Sequence, residues 1–250
     1  MSESIKDRLV VALDVETAGE ARELFAGLRD HAGMFKIGSQ LFTAAGPEIV
    51  RELVGAGARI FLDLKFHDIP NTVAAAGVEA ARLGVFMFNV HALGGSHMMR
   101  RTHETVAETS EREGLRRPRI IAVTVLTSAD SATLEEVSLP ADTAALVRRL
   151  ALLTKECGLD GVVASPIEIG LVRSCVPDPN FLIVTPGVRL QGTAADDQKR
   201  FMTPAEAFGA GADYLVVGRA ILNAPDPQRA CLRIIDEMAR AHSARSGSGI

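Results

Sequence analysis

Short, nearly continuous apolar runs alternate along the chain with longer stretches in which apolar residues recur at helical spacing. The runs predict strands over residues 9–13, 34–37, 60–64, 85–90, 120–125, 161–164, 182–185 and 214–217. Runs of this kind suit parallel strands that are covered on both faces. The amphipathic stretches predict helices over residues 18–29, 72–83, 96–113, 143–157 and 227–240. Eight strands alternating with helices imply an α/β fold, a single (β/α)8 TIM barrel over residues 1–242. Gly57, Gly84, Gly158 and Gly211 each close a helical stretch just before a strand, where a left-handed cap is wanted. The Ser/Gly-rich residues 243–250 are expected to form a disordered tail.

Composition agrees with one large domain. The 250 residues match the usual size of such a barrel, and 47% hydrophobic against 23% charged residues supply an ample core. A formal net charge of −4 argues against a nucleic-acid partner. No apolar stretch is long enough to span a membrane, and the opening MSESIKDRLVVALDV lacks the pattern of a secretion signal. Cys157, Cys175 and Cys231 are odd in number and widely spaced, which fits neither a disulfide framework nor paired zinc ligands. A reduced, cytoplasmic protein is expected. Arg116, Arg117 and Arg119 around Pro118 are expected in a solvated loop.

In a barrel, chemistry gathers at the C-terminal strand ends, so polar residues there carry most information. Strand 1 leads to Asp14, strand 2 carries Lys36, strand 4 leads to His91 and strand 5 to Thr127. Strand 3 runs into Asp63, Lys65 and Asp68. Residues two apart on an extended strand share a face, which puts Asp63 and Lys65 together in the barrel interior. A self-satisfied buried ion pair is the alternative to a functional role, although such pairs stabilise weakly. After strands 7 and 8, Gly187, Arg189, Gly218 and Arg219 suit a phosphate, with ordinary turn glycines and solvated arginines as the alternative. His91, His97 and His103 do not share one helix face as metal ligands would, and the last two are expected at the surface. No serine-hydrolase elbow or zinc-protease motif is present.

The segment Asp63-Leu-Lys65-Phe-His-Asp68-Ile69-Pro70-Asn-Thr72 resembles the signature of the orotidine 5′-phosphate decarboxylases. The resemblance extends to Leu13-Asp14, Phe35-Lys36-Ile37-Gly38, Val90-His91-Ala92, Val125-Leu126-Thr127-Ser128, Val184 through Arg189, and Val217-Gly218-Arg219. It implies decarboxylation of orotidine 5′-phosphate to UMP, the last step of UMP synthesis, without cofactor or metal. Lys65 would protonate C6, Asp63 would lie beside the departing carboxylate, and Lys36 would join the charge network. Asp14 would bind the ribose and Thr127 the base. Arg189, Gln198, Gly218 and Arg219 would grip the phosphate, with Gln198 on a closing loop. Ile69, Pro70, Thr72 and Pro186 complete the implied substrate contacts. The resemblance also implies a homodimer with shared sites, Asp68 being supplied by the partner subunit.

Three rivals remain at this point. A related sugar-phosphate decarboxylase or aldol-type synthase would use Mg²⁺ and a carboxylate where Lys36 stands. A Schiff-base lyase would need Lys65 neutral, whereas two neighbouring carboxylates favour its charged form. A non-catalytic nucleotide-binding or scaffold protein would leave the charge array without work.

Overall fold

The predicted alternation closes on itself. In the computed structural model, which describes residues 4–188 and 202–247, eight strands form a closed barrel in chain order. They are β1 (Leu9–Ala12), β2 (Met34–Gly38), β3 (Ile60–Phe66), β4 (Met87–His91), β5 (Arg119–Val123), β6 (Gly161–Val163), β7 (Leu182–Pro186) and β8 (Tyr214–Val217). Each pairs in parallel with its neighbours, and β8 returns to β1 through pairs such as Leu9 with Leu215. Every predicted strand is present, with bounds that differ by no more than two residues at either end; β3, for example, continues to Phe66.

Five long helices occupy the predicted stretches: α1 (Ala18–Leu28), α4 (Pro70–Arg82), α5 (Gly95–Glu113), α7 (Thr143–Glu156) and α11 (Pro227–Gly247). Helix α1 begins at a capping box in which Thr17 and Glu20 satisfy each other's backbone amides. Helix α11 carries on through residue 243 to Gly247. Six short helices were not foreseen: α2 (Ser39–Ala45), α3 (Glu48–Gly55), α6 (Ser131–Glu136), α8 (Ile169–Cys175), α9 (Pro204–Ala210) and α10 (Arg219–Leu222). Helices of about two turns or fewer show too little of the 3.6-residue period to be read from a sequence. The four expected glycines do adopt positive φ, from 75° at Gly84 to 117° at Gly211.

Side-chain alternation divides the core into two layers. Leu9, Val11, Ile37 and Leu62 face the helices, while Val10, Ala12, Met34, Phe61, Met87 and Tyr214 fill the barrel interior. This inner packing makes the barrel a solid plug, not a pore. Followed upward, the inner columns turn polar: Met34 gives way to Lys36, Phe61 to Asp63, and Met87 to Asn89.

The opposite end corrects the expectation for the arginine-rich loop. Arg117 is not merely solvated; its guanidinium donates to both oxygens of Asp160 at 3.1 and 3.0 Å. Asp160 in turn accepts the Ile120 amide at the start of β5. Arg116 and Arg119 lie over the Phe86 ring. These residues fasten strand starts, because a carboxylate below the barrel needs a cation and the arginine stems cover apolar surface.

Candidate active site

Four charges of alternating sign form a row at the C-terminal strand ends. Lys36 Nζ donates to Asp14 Oδ1 at 2.9 Å and lies 3.3 Å from Asp63 Oδ2. Lys65 Nζ donates to the other Asp63 oxygen, Oδ1, at 2.7 Å. Only 11% of the Lys36 side chain and 14% of Asp63 remain exposed. Charges so far removed from water need close opposite partners, which each has here. Gly38 makes room for this contact. A Cβ there would stand 3.0 Å from Lys36 Nζ and 3.6 Å from Asp14 Oδ1.

Asp63 and Lys65 meet, but not because β3 is regularly extended. The β3–β4 register pairs Leu62 with Phe88 and then Phe66 with Val90, so four steps on β3 oppose two on β4. Lys65 lies within this bulge at φ 53°, in the left-handed region. That conformation costs a lysine roughly 1–2 kcal/mol and is typical of functional sites. Asn89, which sequence reasoning missed, is fully buried beside the bulge. Its Oδ1 accepts the Lys65 backbone N–H at 2.8 Å and its Nδ2 donates to Asp63 Oδ1 at 2.7 Å. The available signal was a lone amide in the inward column of an apolar strand.

Above the row opens a cavity of about 1150 Å³. Asp14, Lys36, Asp63, Lys65, Thr127, Pro186, Gly218 and Arg219 of the predicted set all line it. Gly187 joins them, so the ends of β7 and β8 form one wall. Arg219 is exposed and has no ion pair among the described residues, leaving its guanidinium available to an anion. Gly218 permits close approach: a Cβ there would lie 3.4 Å from both Ala12 Cβ and Asp14 Oδ2.

The structure does not bring Asp68, Ile69, Pro70 or Thr72 to this cavity. Asp68 is exposed, and its Oδ1 accepts the adjoining Ile69 amide at 2.6 Å. Ile69 precedes Pro70 with φ −58° and ψ 149°, the extended geometry that a following proline enforces. The chain thereby turns outward, leaving Ile69 68% exposed. Arg189 and Gln198 lie outside the described residues.

His91 ends β4 with its ring 5.5 Å from that of His67. Burial, followed by the charges of His67 and Lys65, pushes its pKa below the usual imidazole value. His103, expected at the surface, is half-buried, with Nδ1 3.1 Å from an Arg117 nitrogen. Cys157 and Cys231 are buried; burial pushes the Cys231 thiol up to about 12. A thiol so held is a poor nucleophile.

A closed parallel barrel with a charge row at its C-terminal rim and an open arginine beside β8 has the make-up of a barrel enzyme for a phosphorylated substrate. Residues 7–234 match the family described as Orotidine 5′-phosphate decarboxylase / HUMPS. The chain belongs to that family. It is 53% identical over 234 residues to the orotidine 5′-phosphate decarboxylase of Geobacter sulfurreducens, covering 93% of this chain and 96% of that one. To the enzyme of the same name from Geotalea daltonii it is 51% identical over 231 residues, covering 92% and 95%. Among solved structures, orotidine 5′-phosphate decarboxylase from Lactobacillus acidophilus superposes with a TM-score of 0.81 at 36% identity, covering 92% and 98%. That from Pyrococcus horikoshii gives 0.75 at 29% identity, covering 92% and 99%.

Proposed function

We propose that this protein decarboxylates orotidine 5′-phosphate to UMP, the last step of UMP synthesis. The observation that carries the reading is the Asp63–Lys65 pair at 2.7 Å on the cavity floor of a chain in this family.

The difficulty of the reaction lies at C6. When the bond to the carboxylate breaks and CO₂ leaves, the electron pair stays on C6 in the ring plane, where the ring cannot delocalise it. Lys65 supplies what the carbanion lacks. Its ammonium stabilises the developing charge and then delivers a proton to C6; solvent later restores the lysine proton. Asp63 faces the substrate carboxylate and repels it until CO₂ departs. Lys36 stands between the Asp14 and Asp63 carboxylates and offsets their mutual repulsion. Asp14 accepts from the ribose hydroxyls, and Thr127 and Pro186 border the base. Gly218 and Arg219, with Arg189 and Gln198 from beyond β7, grip the phosphate. Remote phosphate binding then drives closure and holds C6 against the ammonium.

The active unit is a homodimer with two shared sites, in which Asp68 and the adjoining Ile69, Pro70 and Thr72 reach the partner's cavity. Three exposed apolar residues support this reading: Ile69, Leu93 and Leu126, at 68%, 42% and 44%, follow three successive strands at the same barrel end. A two-fold partner would cover them all.

The test of the reaction is the loss of orotidine 5′-phosphate absorbance on adding purified protein. Lys65→Ala is expected to abolish it while UMP still binds. Turnover by Lys65→Ala within about tenfold of wild type, some 1.4 kcal/mol in barrier, would remove Lys65 from the reaction.

A further inference from the structure

Asn89 lies beneath the charge row and does not border the cavity, yet it is 0% exposed in a strand whose neighbours Met87, Phe88 and Val90 are apolar. A buried amide is unfavourable unless both its ends find partners. Here both do, and each partner belongs to the reacting pair. Oδ1 accepts the Lys65 N–H at 2.8 Å, and Nδ2 donates to Asp63 Oδ1 at 2.7 Å. The reversed amide would set its oxygen against the Asp63 carboxylate and its NH₂ against the Lys65 N–H, so the partners fix its orientation.

The strand register explains why a side chain has this task. Between the Leu62–Phe88 and Phe66–Val90 pairs, the β3 bulge lifts Lys65 out of the regular ladder. Its amide turns instead to the side chain standing opposite, while its backbone adopts φ 53°. Such a conformation persists only where the surroundings hold it.

We propose that Asn89 is a positioning residue for the Asp63–Lys65 pair. It clamps the left-handed backbone of Lys65 and fixes the Asp63 carboxylate so that one oxygen serves Lys65 and the other Lys36. As a neutral donor it does this without adding a charge to the alternating row. The inference rests on the decarboxylase reading and extends it to a residue that touches no substrate.

Wild type, Asn89→Ala and Asn89→Asp are compared by orotidine 5′-phosphate turnover and by calorimetric titration with UMP. Asn89→Ala removes hydrogen bonds to a charged group and to a strained backbone. We expect kcat to fall about 100-fold while UMP affinity changes less than about threefold. Asn89→Asp keeps the acceptor for the Lys65 N–H but can donate to Asp63 only while the introduced carboxyl is protonated. Once ionised, it repels Asp63 and competes for Lys65. Lys36 and His91 are the other titratable groups nearby. Its kcat should therefore decline with rising pH over a range where wild type holds steady, with circular dichroism at each pH confirming an intact fold.

Asn89→Ala with kcat within threefold of wild type overturns the proposal. So does an Asn89→Asp profile parallel to that of wild type, and so does an equal fall of kcat and UMP affinity in both variants. If Asn89→Ala fails to fold, the nearly isosteric Asn89→Asp decides. Absence of turnover in wild type strikes the decarboxylase reading itself, and the positioning role falls with it.

Discussion

Lys36 Nζ stands 3.3 Å from Asp63 Oδ2, on the oxygen that Lys65 does not use. An ammonium thus occupies the place between Asp14 and Asp63 where two carboxylates would otherwise attract a metal cation. Activity should accordingly survive exhaustive chelation. Assaying turnover after EDTA treatment and dialysis checks this, and loss of activity restored by Mg²⁺ would favour the sugar-phosphate reading instead.

Arg219 has its guanidinium on the cavity wall and no ion pair among the described residues. If it holds the phosphate, Arg219→Ala should depress kcat/KM for orotidine 5′-phosphate by about 100-fold or more. Turnover of the phosphate-free nucleoside should hardly change, since remote binding energy is lost only where the phosphate exists. Equal damage to both substrates would assign Arg219 another task.

The outward position of Asp68 makes the shared site testable by complementation. Lys65→Ala and Asp68→Ala should each be nearly inactive alone. In a mixed dimer, one site carries both lesions and the other receives both intact residues. Random exchange makes half the dimers mixed, so roughly a quarter of wild-type activity should return. Differently tagged chains report the exchange independently. Proven exchange without recovered activity would place Asp68 in the service of its own chain.

The half-buried imidazoles of His91 and His103 predict how stability depends on pH. Burial is the first cause of lowered pKa at both His91 and His103, with nearby positive charge second. The unfolded chain therefore binds protons more readily than the folded one below the ordinary histidine value of about 6.5. Stability is full above that value and falls as pH drops through it. Urea midpoints measured between pH 7.5 and 5.5 should decline, and His103→Gln should lessen the slope. Parallel slopes for wild type and variant would rule out a contribution from His103.

The barrel was legible because the strands are nearly continuous apolar runs and several helix-to-strand returns are marked by a glycine such as Gly84 or Gly211. Short helices such as α6 and α8 were not, since they are held by contacts across the fold and show little period of their own. At the site, charge marked Asp14, Lys36, Asp63, Lys65 and Arg219 correctly as neighbours of one cavity. Period-two alternation gave the right meeting of Asp63 with Lys65 for an incomplete reason, because a bulge depends on pairing with β4 that no local pattern records. Asn89 escaped notice for the same cause: its partners lie 24 and 26 residues away. The role of Arg117 likewise depends on Asp160, 43 residues distant.

The apolar plug of Met34, Phe61, Met87 and Tyr214 has a kinetic corollary. It shuts the underside of the charge row, so on the proposed reading nucleotide, CO₂ and protons would all pass by the rim cavity. If Lys65 is the proton donor, the proton that recharges it would arrive by the route along which the gas has left. Each turnover is in that sense a queue whose order is enforced by a wall of methyl groups and rings.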